Sequence, residues 1–160
     1  MPKAFGLIVL TLFWLLTQVG LSQAYPITTK YYSVNLPANW SVLQGPKRQN
    51  EAIFLQIANQ KKTATATLVV GKASPKEAQD APYVAASRVK AYVLQNQGQS
   101  EFSIAHGPEK GFCLFRYDPK SSLLLVLTIS GALEESGFLF KMNTPYPKLR
   151  PVPPLGLKLP

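Results

Sequence analysis

The sequence predicts a single α+β domain built mainly of strands with one principal helix, and three observations carry that prediction. Thr63–Val70 alternates hydroxyl and apolar residues with the two-residue period of a half-buried strand. Ser74-Pro-Lys-Glu77 is a capping box with proline at the first helical position. Leu123–Leu127 is an unbroken apolar run of strand length, suited to the middle of a sheet. Composition agrees: 160 residues, 46% hydrophobic and 16% charged, fit one core and exclude a wholly disordered chain, a multipass membrane protein and a disulfide-rich miniprotein.

The first 24 residues read as an export leader. Met1-Pro2-Lys3 gives a positive start, and Ala4–Leu16 is an apolar run containing a single hydroxyl. As a helix that run reaches about 20 Å, short of the roughly 30 Å hydrocarbon core. Ser22-Gln-Ala24 fits the small-residue rule for cleavage between Ala24 and Tyr25, so the expected product is periplasmic or secreted. The competing reading is an uncleaved anchor running to Leu21, which must bury Thr17 and Gln18. No cysteine follows the run, which argues against a bacterial lipid anchor.

A short lead-in, 25–30, precedes a domain expected over 31–143. Tyr32–Leu36 alternates and breaks at Pro37, and Ser41–Leu43 is expected to stop at Gly45-Pro46. Glu51–Ala58 is apolar enough to be covered on both faces for part of its length, and Asn59–Lys62 reads as a hairpin turn. In Thr63–Val70 the positions Ala64, Ala66, Leu68 and Val70 share one face.

The helix that opens at Ser74 meets Pro82, which cannot donate to the carbonyl of Ala78. A kink is expected there, or a restart with Asp80 as a second cap. From Pro82 to about Gln97, Ala85, Val89, Tyr92, Val93 and Asn96 line one side, so the helix is expected to continue to near Gly98. Strands are then expected at Glu101–Ala105, Phe112–Asp118 and Ser122–Ser130, with Asp118-Pro-Lys-Ser121 as the turn of an antiparallel hairpin. Leu133–Met142 is helix or strand, and periodicity does not decide between them. The segment 144–160 holds six of the 14 prolines, three cations and no acid, so it should be extended and stay out of the sheet. It reads either as a disordered or surface-strapped terminus or as a basic docking segment stiffened by Pro151–Pro154.

The order of elements, with Tyr32-Ser-Val-Asn-Leu-Pro-Ala-Asn-Trp40, the Ser74-x-x-Glu77 helix start and Gly111-Phe-Cys-Leu-Phe-Arg-Tyr117 before the apolar strand, resembles the PsbP-like superfamily, including the DcrB-type bacterial envelope proteins. The resemblance covers about 110 residues. It implies an antiparallel β-sheet flanked by helices, an α/β/α sandwich, and a binding or assembly role without catalysis. The sequence departs from it in lacking the lipid-attachment cysteine common in DcrB-like proteins, in a doubtful closing helix and in the proline-rich tail. No family site maps onto named positions.

Reactive chemistry is thin. Cys113 is the single cysteine, so no internal disulfide can form, and it lies in a strand-like aromatic run where a buried thiol is expected. The one histidine, His106, sits in a turn-like His-Gly-Pro stretch with no recognisable relation to Cys113. One histidine and one cysteine cannot make a common structural zinc site without carboxylate help. Glu134 and Glu135 are adjacent, and on a strand they would point to opposite faces into solvent. Trp40 is expected in core or rim packing; Asn39-Trp-Ser41 is an N-glycosylation sequon, meaningful only in a host that glycosylates Asn.

With no Walker loop, nucleophile elbow or dinucleotide fingerprint, neither catalysis nor a cofactor or metal is expected. The formal charge of +9 favours anionic partners, with Lys47, Arg48, Lys61 and Lys62 as the expected contacts to lipid headgroups or polysaccharide. The leading expectation is an exported module that binds a protein partner in the envelope. Adhesion to anionic surfaces is the alternative, and a small hydrolase or redox protein using Cys113 or His106 the third reading. Export and the lack of aromatic-basic interleaving argue against nucleic acid.

Overall fold

The computed structural model describes residues 24–105 and 110–157, so the expected leader through Gln23 and His106 lie outside the described residues. The chain opens on a small antiparallel hairpin, β1 (Tyr25–Thr28) with β2 (Ser33–Leu36). A three-strand meander follows, β3 (Trp40–Gln49), β4 (Ala52–Asn59) and β5 (Ala64–Lys72). Helix α1 (Pro75–Arg88) then carries the chain across the sheet to a second meander, β6 (Leu94–Asn96), β7 (Gln99–Ile104), β8 (Gly111–Asp118) and β9 (Leu123–Gly131). The two meanders join into one antiparallel sheet of seven strands in the order β3-β4-β5-β9-β8-β7-β6. The apolar strand β9 therefore lies fourth of seven, where its sequence places it.

Alternation assigns the faces. Ala64, Ala66, Leu68 and Val70 of β5 and Leu123, Leu125, Leu127 and Ile129 of β9 form the main core with Leu55, Ile57 and Leu114. That face is closed by the β1–β2 hairpin and two 3-10 segments, Leu133–Lys141 and Pro147–Leu149, which contribute Ile27, Val34, Leu36, Leu139 and Leu149. The opposite face carries α1, whose Ala86 packs with Phe102, Cys113 and Phe115. Helix therefore covers only part of one face, and the other is covered by a hairpin and 3-10 turns. The domain is more sheet than helix.

Several elements depart from expectation for identifiable reasons. The lead-in 25–30 is mostly strand, because Tyr25–Thr28 pairs residue by residue with Ser33–Leu36. β3 does not stop at Gly45-Pro46. It lies at the sheet edge and its register slips between Val42 and Lys47, so the donor that Pro46 lacks is not required of it. Gly45 holds φ +86° at that bulge, where a Cβ would run into the carbonyl of Phe54. The capping box forms as expected, with the Glu77 N–H donating to Ser74 Oγ and the Ser74 N–H donating to the Glu77 carboxylate. Those bonds hold the Glu77 carboxyl below its ordinary range.

Helix α1 neither breaks at Pro82 nor restarts at Asp80. Pro82 is buried on the stripe Ala78, Pro82, Ala86, and the helix runs on through it to Arg88. The helix ends at Arg88 rather than near Gly98. Lys90 turns left-handed at φ +54° and the N–H groups of Val89 and Ala91 both close on the Ala86 carbonyl. The expected stripe dissolves: Tyr92 is 89% exposed, and Leu94–Asn96 is a strand. Leu133–Lys141 resolves as 3-10 helix.

Tyr32 is 2% exposed and its hydroxyl is the one buried side-chain polar atom without a hydrogen-bond partner among the described residues; burial pushes its pKa up. An orphaned buried hydroxyl costs about 1–3 kcal/mol. Tyr32→Phe keeps the ring and removes the cost, so thermal unfolding should show unchanged or raised stability, by up to about 1 kcal/mol. A clear loss would mean that the hydroxyl is bonded in solution.

Candidate functional site

The densest buried polar cluster lies on the β6–β7 hairpin. Gln97 and Gly98 both have positive φ, +50° and +74°, the geometry of a two-residue hairpin turn. The register pairs Asn96 with Gln99 and Leu94 with Glu101, which puts Asn96, Gln99 and Glu101 on the main-core face. All three are buried, at 7%, 0% and 2% exposure. Buried amides and carboxylates need partners, and these find them in the tail.

Gln99 Oε1 accepts the N–H of Val152 at 3.0 Å while its Nε2 donates to the carbonyl of the same residue at 3.0 Å. One side-chain amide thus reads both main-chain groups of Val152, as a neighbouring strand would. Asn96 Nδ2 donates to the Pro153 carbonyl at 3.0 Å. Glu101 accepts from Asn96 Nδ2 (3.1 Å), Gln99 Nε2 (2.7 Å) and the N–H of Leu155 (2.7 Å). Arg116, one strand over on β8, donates through Nε to the Lys148 carbonyl at 2.9 Å and through Nη1 to the Gln97 carbonyl at 2.7 Å. Its pKa is lowered by burial. The tail is therefore a surface strap fixed by hydrogen bonds to its main chain, without strand pairing. Pro151 and Pro154 are buried against the domain.

A second polar group joins the β4–β5 turn to the first 3-10 segment. Buried Asn59 accepts the N–H groups of Thr63 and Ala64 at 2.8 and 3.1 Å and donates to Thr63 Oγ1 and Glu135 Oε2 at 2.8 and 2.9 Å. Every valence of that amide is used, so Asn59 works as a staple. Asn39 and Glu135 line two hollows there, about 150 and 590 Å³. Glu134 and Glu135 lie on a 3-10 segment, not on a strand, and Glu135 is tied to Asn59. Trp40 is buried, its ring edge-on to Phe138 at 5.0 Å between centroids.

The remaining expected positions do not converge. Cys113 is buried against α1, its Sγ 3.5 Å from Thr128 Oγ1, and burial pushes its thiol pKa up despite that bond. A raised thiol is a poor nucleophile. Lys47 and Arg48 stand opposite Phe54 and Ile53 at the start of β4, whereas Lys61 and Lys62 follow its end. The strand from Phe54 to Asn59 alone sets the two pairs roughly 17 Å apart, so the four cations form two exposed points and not one patch. Among the described residues no group of three or more His, Cys, Asp or Glu side chains could hold a metal ion, and no helix is long and apolar enough to cross a membrane.

Asn96, Gln99, Glu101 and Arg116 escaped the sequence reading. The available signal is Gln97-Gly98, a turn dipeptide between short strands that a helical reading of 82–97 absorbs. Comparison with models of protein families finds no match, and comparison with curated proteins and with solved structures finds none either.

Two outcomes follow from these contacts. Gln99→Met retains side-chain length but loses the bonds to Glu101 and to both groups of Val152. It should destabilise the chain by about 1–3 kcal/mol and speed amide exchange at Val152 and Leu155 while β9 stays protected. Cys113 should resist a thiol reagent at neutral pH in the folded chain and label at the rate of unfolding. Fast labelling of native protein would refute the burial and the raised pKa together.

Proposed function

We propose that this protein is an exported, non-catalytic binding or assembly module of the cell envelope, PsbP-like in fold, that holds a protein partner in the periplasm or outside the cell. The observation that carries the reading is the Asn96–Gln99–Glu101 cluster, whose buried polar atoms are spent on the main chain of an extended segment. Such a cluster grips peptide and presents no group to a reacting bond. The antiparallel sheet with α1 on one face supports the coarser part of the fold expectation. Buried Cys113, with its raised thiol, supports the non-catalytic part.

Crosslinking pull-down with the full chain as bait in an envelope extract tests this. The expected result is one specific protein retained at physiological ionic strength. Turnover by the purified chain that a Cys113→Ala, His106→Ala double variant abolishes would overturn the reading in favour of a small hydrolase or redox protein. Adhesion to anionic surfaces is the second reading, supported by the exposure of Lys47, Arg48, Lys61 and Lys62. Retention that collapses between low and physiological salt would select it.

A further inference from the structure

The groove formed by β6 and β7 already has an occupant, the chain's own residues 151–155, and the way it is held is not particular to this tail. Four hydrogen bonds seat it, to Val152 N–H, Val152 C=O, Pro153 C=O and Leu155 N–H. All four reach main-chain atoms. The groove asks for donors at the first and fourth residues of Val152-Pro-Pro-Leu155 and for none at the two between, and those two, like Pro151 before them, are prolines without an N–H. Donor demand and proline placement match position by position. Pro151 and Pro154 are the residues buried, while Arg150 and Leu155 stay exposed. The segment is thus recognised by extended backbone and proline rings.

We infer that this groove is a recognition site for an extended Pro-X-Pro-Pro-X segment of a partner protein, and that the chain's own Pro151–Leu155 is a built-in competitor for it. The inference rests on the binding-module reading and names the partner's chemistry. Gln99 at 0% exposure and Glu101 at 2% are covered with the tail in place, so emptying the groove gives up their bonds to it and leaves them to water. A partner segment that replaces the tail remakes the same bonds, and a proline-rich segment loses little chain entropy on docking. The tail beyond Leu149 can leave without opening the main core, because among the described residues Leu149 is the last in that cluster. Tethering gives the tail an effective concentration of order millimolar, which sets how strongly it competes.

The test uses the full chain carrying Val152→Pro and Leu155→Pro, which removes both tail donors and leaves the groove untouched. A fluorescent peptide of residues 148–157 is titrated by anisotropy against this variant and against the native chain. The expected result is binding at least tenfold tighter to the variant, and none by a peptide carrying the same two proline substitutions. A variant that retains its circular dichroism and melting transition but ignores the native peptide overturns the inference. The binding-module reading then survives if the pull-down still captures its partner, so the two failures are distinguishable. Should the variant not fold, excess peptide added to the native chain must accelerate amide exchange at its own Val152 and Leu155, and unchanged exchange overturns the inference as well. A native dimer in solution that the double substitution abolishes would assign the groove to the tail of a second copy and overturn the partner assignment.

Discussion

The fold depends on one pairing constraint, the insertion of β9 between β5 and β8. β9 is the last strand in the sequence and the middle one in the sheet, hydrogen-bonded along its length to a strand of each meander. Its odd-numbered residues Leu123, Leu125, Leu127 and Ile129 are at most 1% exposed, and Leu124 and Val126 pack towards α1 on the other side. Without that insertion the chain holds two separate antiparallel meanders, each with an open edge. With it, the crossover through α1 has a purpose, since the helix must carry the chain to the far edge so that the second meander can be laid inward. β6 is therefore an edge strand of three residues, and the site sits where the sheet is thinnest.

That position explains the tail. A short edge hairpin buries little apolar surface of its own, and its inward face carries Asn96, Gln99 and Glu101 where the rest of that face carries leucine and isoleucine. Polar groups of this kind are costly to bury alone and inexpensive when every valence is met. The tail meets them through its backbone. The Pro147–Leu149 turn begins the strap by burying Leu149, and Arg116 fastens the chain at Lys148 before the groove begins.

How far the sequence spoke for itself depended on whether the signal was local. The β5 alternation, the Ser74–Glu77 box and the β9 run each state their structure within a few residues, and each appears where it was expected. The end of α1 is not marked in the sequence because Val89, Tyr92 and Val93 continue a helical spacing. What stops the helix is Lys90 in the left-handed region, followed by strand pairing of Leu94–Asn96 with a segment later in the chain. β3 was cut short by the ordinary meaning of Gly-Pro, which an edge bulge overrides. Leu133–Lys141 stayed undecided because a 3-10 helix matches neither period, and its Glu135 is placed by Asn59, far away in sequence. The candidate site is the least legible part, since the bonds that tie its hairpin to the tail reach residues some fifty positions later.

The two readings of the tail, surface strap and docking segment, are physically one. A segment binds its own domain through backbone donors on either side of two prolines only if the groove has a matching pair of acceptors, and such a pair cannot distinguish its own chain from another with the same pattern. What favours the resident tail is tethering, an entropic advantage that adds no contact and that a second attachment point on a partner can equal. Specificity then comes from the buried prolines, because a segment with an N–H at the position of Pro154 would bring a donor away from water. The same buried side chains that hold the edge of the sheet together therefore also define what else the edge can hold.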